Sequence, residues 1–177
     1  MPKILVTGAT GQIGVELTLA LRERYGADNV IAAGHRREPP GGLAQTGPYC
    51  SLDVRDAAAL DAVVTAHGIT VIYHLAALLS AVAEEQPLQA WDINMNGLLN
   101  VLESARRHGC QVFFPSSIAA FGPGTPPFDT PQDTVQHPST IYGITKVTGE
   151  LLCDYYYRRY GVDARGVRYP GLISNQV

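Results

Sequence analysis

The feature that most constrains the fold of this chain is a glycine-rich junction between an apolar run and a helical pattern. Residues 4–6 are typical of a buried strand, and residues 11–25 have the periodicity of a helix. Gly8, Gly11 and Gly14 lie at this junction, spaced as in a strand–turn–helix unit whose backbone approaches a pyrophosphate. The start of the helix offers free N–H groups to such phosphates. We therefore predict a dinucleotide site here, with an ordinary glycine-rich turn as the alternative.

The rest of the chain continues this alternation. Short apolar runs rich in β-branched residues alternate with segments of helical period, which predicts a parallel sheet covered on both faces. In chain order, we predict strands at 30–33, 49–52, 71–75, 112–114 and 162–169, and helices at 56–67, 94–108 and 139–160. A long loop rich in Pro, Gly and Thr covers 122–138. We expect one α/β domain over 1–177, a doubly wound parallel sheet of the Rossmann type.

Composition excludes several classes of partner. The formal net charge of −3 provides no electrostatic basis for binding nucleic acid or an anionic membrane. No apolar run reaches the roughly 18 residues that a membrane span needs. Cys50, Cys110 and Cys153 are too far apart for a common zinc motif, and we expect them to be reduced and buried. The chain is expected to be cytoplasmic, without a metal.

A tyrosine and a lysine four residues apart form the candidate catalytic pair. On a helix, this spacing places Tyr142 and Lys146 on one face. A nearby cation favours the phenolate and lowers the pKa of a tyrosine from its usual value of about 10. Tyr142 is therefore a candidate general base that takes a proton from an alcohol. A solvated surface pair is the alternative, but the upstream glycines favour the catalytic interpretation.

Two serines follow the predicted strand at 112–114. Ser116 and Ser117 come where parallel strands end, which is where such folds bind ligands. One hydroxyl is expected to hydrogen-bond the reacting oxygen, and a cap of the following turn is the alternative role for the other.

Together these motifs resemble the extended short-chain dehydrogenase/reductase family, and in finer detail its L-threonine 3-dehydrogenase branch. The resemblance spans essentially the whole chain and rests on residues 11–14, 74–80, 94–97, 115–122, 142–146 and 168–174. The broad motifs are shared with sugar-nucleotide epimerases, whereas the exact sequences of residues 74–80 and 116–122 resemble the threonine branch. A sugar-nucleotide epimerase or dehydratase, or a non-catalytic dinucleotide-binding module, remains the alternative function.

The resemblance implies oxidation of the β-hydroxyl of L-threonine to 2-amino-3-oxobutanoate, with hydride transfer to NAD(P) and Tyr142 as the base. Lys146 would hold the ribose hydroxyls, Ser117 would hydrogen-bond the substrate hydroxyl, and Ser80 would help to hold the amino acid. The other implied cofactor contacts are Gly8, Gly11, Gln12, Ile13, Gly14, Arg36, Asp53, Val54, Leu75, Ala76, Ala77, Asn94, Tyr169 and Pro170.

Two of these contacts have a structural alternative. Asn94, which would support the site from its helix, could equally be a helix cap. Asp53, which would bind the adenine amine, could equally cap the next helix.

The position that usually selects the cofactor departs from the family pattern. An acidic residue about 20 positions beyond the last glycine normally binds the adenosine ribose. This position is Gly34, and Arg36 and Arg37 follow it closely. Loss of the carboxylate removes the repulsion of a 2′-phosphate, and guanidinium groups bind phosphate well. NAD is the cofactor expected from the family, with NADP as the alternative.

The resemblance also bears on assembly and completeness. Residues 94–108 and 139–160 resemble a helix pair that forms a dimer interface in this family, so a homodimer is expected; simple cover of the sheet is the alternative. Proteins of the family are longer, and their C-terminal region closes over the substrate. Because the match ends at Ser174, we expect that region to be missing.

Overall fold

The computed structural model describes residues 1–40 and 42–172, which contain a six-stranded parallel sheet. The strands are β1 (Ile4–Thr7), β2 (Val30–Gly34), β3 (Tyr49–Ser51), β4 (Val71–His74), β5 (Gln111–Ser117) and β6 (Ala164–Tyr169). The helices are α1 (Gln12–Tyr25), α2 (Ala57–His67), α3 (Ser80–Glu85), α4 (Pro87–Trp91), α5 (Gly97–His108) and α6 (Ile141–Tyr160). The strand order β3-β2-β1-β4-β5-β6 is that of the Rossmann fold, so the predicted fold class is confirmed.

Alternate residues of the central strand show how both faces of the sheet are covered. Leu5 of β1 packs in a cluster with apolar residues of α2, α5 and α6. Its neighbours Ile4 and Val6 pack on the opposite face with residues of α1. Successive side chains of a strand point to opposite faces, so a strand buried on both sides is apolar throughout.

The end of β5 differs from the prediction. The strand continues through Pro115 to Ser117 instead of ending at Phe114. Ser116 pairs with Arg168 and Ser117 with Tyr169 in the parallel register with β6. Proline lacks the N–H that a ladder uses, and it is compatible with this position because the pairing of β4 with β5 ends at Phe113, two residues earlier. Both serines therefore lie within the strand rather than in a loop after it.

The connection from β4 to α5 contains helices that the sequence analysis did not predict. α3 and α4 precede a wide π-helical turn at Asp92–Asn96, and α5 begins only at Gly97, three residues after the predicted start. Similarly, α6 begins at Ile141 because Thr140 caps it, its hydroxyl accepting a hydrogen bond from the Gly143 N–H at 3.0 Å.

The apolar residues of α5, including Leu98 and Leu102, pack toward the core. On α6 Tyr156 is buried, whereas Leu151 is 64% and Tyr157 60% exposed. Cover of the sheet therefore accounts for the apolar pattern of α5 and for only part of that of α6, and the homodimer stays a prediction. Among the described residues, no helix is long and apolar enough to cross a membrane. Cys110 and Cys153 are free and buried as expected, and Cys50 is only half-buried.

A buried arginine stabilises the connection between β2 and β3, which contains no helix among its described residues, 35–40 and 42–48. Arg22 of α1 is 5% exposed, and its guanidinium donates to the carbonyl oxygens of Val30, Leu43 and Pro48. A fourth bond reaches the hydroxyl of Thr46 at 2.6 Å. Two of these carbonyl oxygens also accept another hydrogen bond, Pro48 from the Ala32 N–H and Leu43 from the Thr46 hydroxyl, so the guanidinium adds to the bonds that hold this connection.

Replacing Arg22 with Ala is expected to lower the free energy of unfolding by about 2–4 kcal/mol, because several charge-assisted hydrogen bonds are lost from a buried site. Urea unfolding followed by circular dichroism measures this change. Arg24→Ala on the same helix, where the side chain is exposed, is the control and should shift stability by less than about 0.5 kcal/mol. Equal effects of the two substitutions would contradict the assigned role.

Candidate active site

A cavity of about 940 Å³ lies at the carboxyl ends of the strands. At this point the chain leaves the neighbouring strands β1 and β4 toward opposite faces of the sheet. This is the switch point at which open α/β sheets bind ligands. The structure brings seventeen of the eighteen predicted site residues to its lining: Gly8, Gly11, Gln12, Ile13, Gly14, Arg36, Asp53, Val54, Leu75, Ala76, Ala77, Ser80, Ser117, Tyr142, Lys146, Tyr169 and Pro170. Asn94 is the exception.

The glycine turn forms a backbone cradle against the loop after β4. Gly8 has a φ of +68°, and a Cβ at this position would lie 2.6 Å from the amide nitrogen of Ala76. A Cβ on Gly14 would collide with the carbonyl oxygen of Gly8. No side chain caps the N-terminus of α1. The helix therefore presents uncapped backbone N–H groups at a cradle that fits a pyrophosphate.

Asn94 positions this loop from behind instead of lining the cavity. Its carboxamide oxygen accepts from the Leu78 N–H at 2.8 Å, and its amide nitrogen donates to the Leu78 carbonyl at 3.1 Å. A third bond joins the amide nitrogen to the hydroxyl of Thr145 on α6 at 3.2 Å. Asn94 is thus a bridge between the loop and α6 and caps no helix, and its contact with the cofactor stays a prediction.

His74 forms a second support beneath the cavity. Its Nδ1 lies 3.0 Å from the hydroxyl of Thr7, at the paired ends of β4 and β1. Burial, together with the neighbouring Lys146, lowers the pKa of His74 to about 3. The imidazole is therefore neutral and links the two strands without carrying a charge.

The ammonium group of Lys146 is held in the floor of the cavity. Its Nζ donates to the carbonyl oxygen of Pro115 at 2.7 Å and lies 5.3 Å from the ring centroid of Tyr142. Burial lowers the pKa of Lys146 to about 8, and the carboxylate of Glu150 opposes this shift. The side chain thus places beneath the phenol an ammonium group whose pKa is close to neutral pH.

The expectation that the pKa of Tyr142 is lowered is wrong for this structure. Burial raises the pKa of Tyr142 above its usual value, and a hydrogen bond with Ser117 opposes the increase. Lys146 points mainly at the carbonyl of Pro115, so its charge does not offset the desolvation of the phenol. The Ser117 hydroxyl also accepts a hydrogen bond from the Ala119 N–H at 3.2 Å and so caps the following turn. The cap role, which was expected for the other serine, therefore belongs to the candidate catalytic residue.

The other serine belongs to a polar network that the sequence analysis missed. The buried hydroxyl of Ser116 donates to the carboxylate of Glu150, which also pairs with Arg168 at 2.8 Å. Arg168 donates in turn to the carbonyl of Gln132 in the long loop at 3.1 Å. Glu150 lies one helical turn after Lys146, and this i, i+4 spacing is the signal that could have identified it.

The far end of the cavity carries most of its charge. The carboxylate of Asp53 is bound by the guanidinium of Arg55 at 2.6 Å, and this hydrogen bond lowers the pKa of Asp53 to about 2. The alternative that Asp53 caps the next helix is wrong, because Asp56 caps α2 by accepting the Ala59 N–H at 2.9 Å. Arg36 is exposed at the same end.

The opposite end is formed by the start of α3 and the end of β6. Ser80 is exposed as the first residue of α3, and Pro170 is exposed just after Tyr169 at the end of β6. The last two residues of the 168–174 motif lie outside the described residues. Over the part of the chain that the structure describes, no group of three His, Cys, Asp or Glu side chains could hold a metal ion.

Comparison with known proteins places this geometry in context. A family model described as the NAD dependent epimerase/dehydratase family matches residues 4–176. An uncharacterized epimerase/dehydratase from Staphylococcus epidermidis is 55% identical over 175 residues, which are 99% of this chain and 55% of that protein. The chain thus spans about half the length of the curated relatives it matches.

Two solved structures of L-threonine dehydrogenases are similar over nearly the whole chain. The enzyme from Clostridium difficile is 55% identical with a TM-score of 0.96, covering 98% of this chain and 55% of that one. A holo form from Cupriavidus necator is 53% identical with a TM-score of 0.94, covering 99% of this chain and 57% of that one. The predicted resemblance is confirmed, and the chain belongs to the NAD-dependent epimerase/dehydratase family.

Proposed function

We propose that the cavity binds a nicotinamide dinucleotide and that the protein oxidises L-threonine at its β-hydroxyl, with Tyr142 as the general base. The observation that carries the proposal is the grouping of Ser117, Tyr142 and Lys146 in one cavity with the glycine cradle. The identities of 53–55% to L-threonine dehydrogenases support the choice of substrate.

The arrangement supports a simple division of labour among the side chains. The Ser117 hydroxyl would hold the substrate oxygen next to the phenol, and Tyr142 would take the hydroxyl proton as the carbonyl forms. Lys146, fixed by the Pro115 carbonyl, supplies positive charge beneath the ring of the phenolate that accepts this proton. The nicotinamide supplies the hydride acceptor when bound, taking the hydrogen of the same carbon.

The cofactor would lie along the whole cavity. The pyrophosphate fits the cradle around Gly8, the adenosine end fits beside Asp53 and Val54, and the nicotinamide end fits beside Tyr169 and Pro170. Leu75, Ala76 and Ala77 would line the path between them. Ser80, at the mouth beside the nicotinamide end, would hold the amino acid.

The direct test is to incubate the protein with L-threonine and either NAD or NADP, and to follow the absorbance of the reduced nicotinamide. Formation of reduced cofactor together with 2-amino-3-oxobutanoate supports the proposal. Binding of cofactor without oxidation of threonine, but with conversion of a UDP-sugar, would replace it with an epimerase function. Sedimentation of the same sample measures whether the protein is the proposed homodimer.

Tyr142→Phe is expected to lower kcat at least about 100-fold while leaving the dissociation constant of the cofactor within about twofold, because only the proton acceptor is removed. Steady-state kinetics and calorimetric titration measure the two quantities. Tyr157→Phe on the same helix, where the ring is 60% exposed, is the matched control and should leave both unchanged. Retained turnover in Tyr142→Phe would remove this residue from its role.

The pH dependence of kcat/KM tests the link between Ser117 and Tyr142. Since the pKa of Tyr142 is raised, the phenolate is scarce at neutral pH, and the rate is expected to increase with pH. Ser117→Ala removes the hydrogen bond that lowers this pKa, so the profile should move toward higher pH. Ser117→Thr retains a hydroxyl and should stay near the wild-type profile. A uniform loss of rate in Ser117→Ala, without a shift along the pH axis, would exclude this coupling.

A further inference from the structure

The corner of the cavity after β2 has no space for an acidic side chain unless two neighbouring side chains move. Gly34 is buried as the last residue of β2, and a Cβ on it would lie 2.6 Å from the Tyr49 hydroxyl and 2.7 Å from the Thr10 methyl group. Real side chains do not tolerate such distances, so the space is already filled by these two residues. A carboxylate at this position, which would hydrogen-bond the ribose hydroxyls of NAD, has no room without displacing them.

The same corner has unpaired positive charge. Arg36 and Arg37 are exposed and line the cavity, and among residues 1–40 and 42–172 neither guanidinium makes a hydrogen bond or an ion pair. Arg55, in contrast, is bound to the carboxylates of both Asp53 and Asp92. Two of the three arginines at this end are therefore available to a ligand.

The nearby acidic groups do not neutralise these arginines. The carboxylate of Asp53 is bound by Arg55, and the Nε2 of His35 lies 3.5 Å from the same Oδ2. Glu38 is exposed and does not line the cavity. The corner is thus electropositive where the adenosine ribose of a dinucleotide would lie.

We propose that the corner formed by residues 34–37 binds a 2′-phosphate on the adenosine ribose, so that the protein prefers NADP to NAD. The inference rests on the dinucleotide-binding part of the proposed function and is independent of the substrate. A phosphate monoester carries a charge of about −1.5 to −2 at pH 7 and accepts paired hydrogen bonds from a guanidinium. The same phosphate would be repelled by the carboxylate that Gly34 replaces.

The test is calorimetric titration of the full 177-residue chain with NADP and NAD, and with adenosine 2′,5′-bisphosphate and adenosine 5′-monophosphate. NADP is expected to bind at least about tenfold more tightly than NAD, and the bisphosphate at least about tenfold more tightly than the monophosphate. This difference corresponds to about one charge-assisted hydrogen bond or more. The preference should shrink at high salt, because exposed charges are screened.

Substitutions of the two arginines test whether the preference for NADP comes from the corner at residues 34–37. Arg36→Ala and Arg37→Ala should each weaken NADP binding several-fold and leave NAD binding within about twofold, and the double variant should abolish the preference. Arg158→Ala, which changes the net charge equally on an exposed part of α6, is the control and should leave both affinities unchanged.

Two results would overturn the inference. Equal or tighter binding of NAD overturns it while leaving dinucleotide binding intact. Binding of neither dinucleotide overturns both the inference and the cofactor part of the proposed function. Failure of threonine oxidation with a retained preference for NADP would reject only the substrate.

Discussion

The close approach of two backbones at the end of the central strands determines the rest of the site. Gly8 contacts the backbone of Leu75 and Ala76, so the turn after β1 and the loop after β4 share one wall of the cavity. Any side chain at Gly8 would push these segments apart and take α1 with it. The position of the helix N-terminus, the path of the loop and the width of the cavity therefore depend on the absence of a single Cβ atom.

The chain stabilises this approach from outside the cavity with neutral groups. The Thr7–His74 contact joins the two strand ends, and Asn94 fixes the loop to α6 through three hydrogen bonds. Charge is concentrated elsewhere, on Lys146 in the floor and on the arginines at the adenosine end. Because the supports carry no net charge, the field within the cavity is set by the few ionised groups that face it.

The sequence predicted the fold because the central strands β1 and β2 are buried on both faces and are therefore continuous apolar runs, followed by segments of helical periodicity. The prediction was wrong for α3 and α4, which are too short to show a helical period. It also ended β5 too early, because a proline and two serines are not typical of a strand. The cavity residues followed from the glycine spacing and the Tyr142–Lys146 pair. Glu150 was missed because its contacts with Ser116 and Arg168 join residues far apart in sequence. The direction of the Tyr142 pKa shift depended on burial, which spacing does not reveal.

Arg22 has a consequence for how this fold tolerates change. The described part of the connection between β2 and β3 lacks the helix that usually covers such a crossover, and one guanidinium takes over part of its role. Three of its four acceptors are main-chain carbonyl oxygens, which every amino acid possesses. Two positions within residues 43–48 are nevertheless fixed by their side chains. Leu43 is buried in the core, and a Cβ on Gly47 would lie 2.8 Å from the Nε of Arg22. The other positions of this segment can diversify as long as the path of the chain is kept, because most of the hydrogen bonds from the guanidinium go to the main chain.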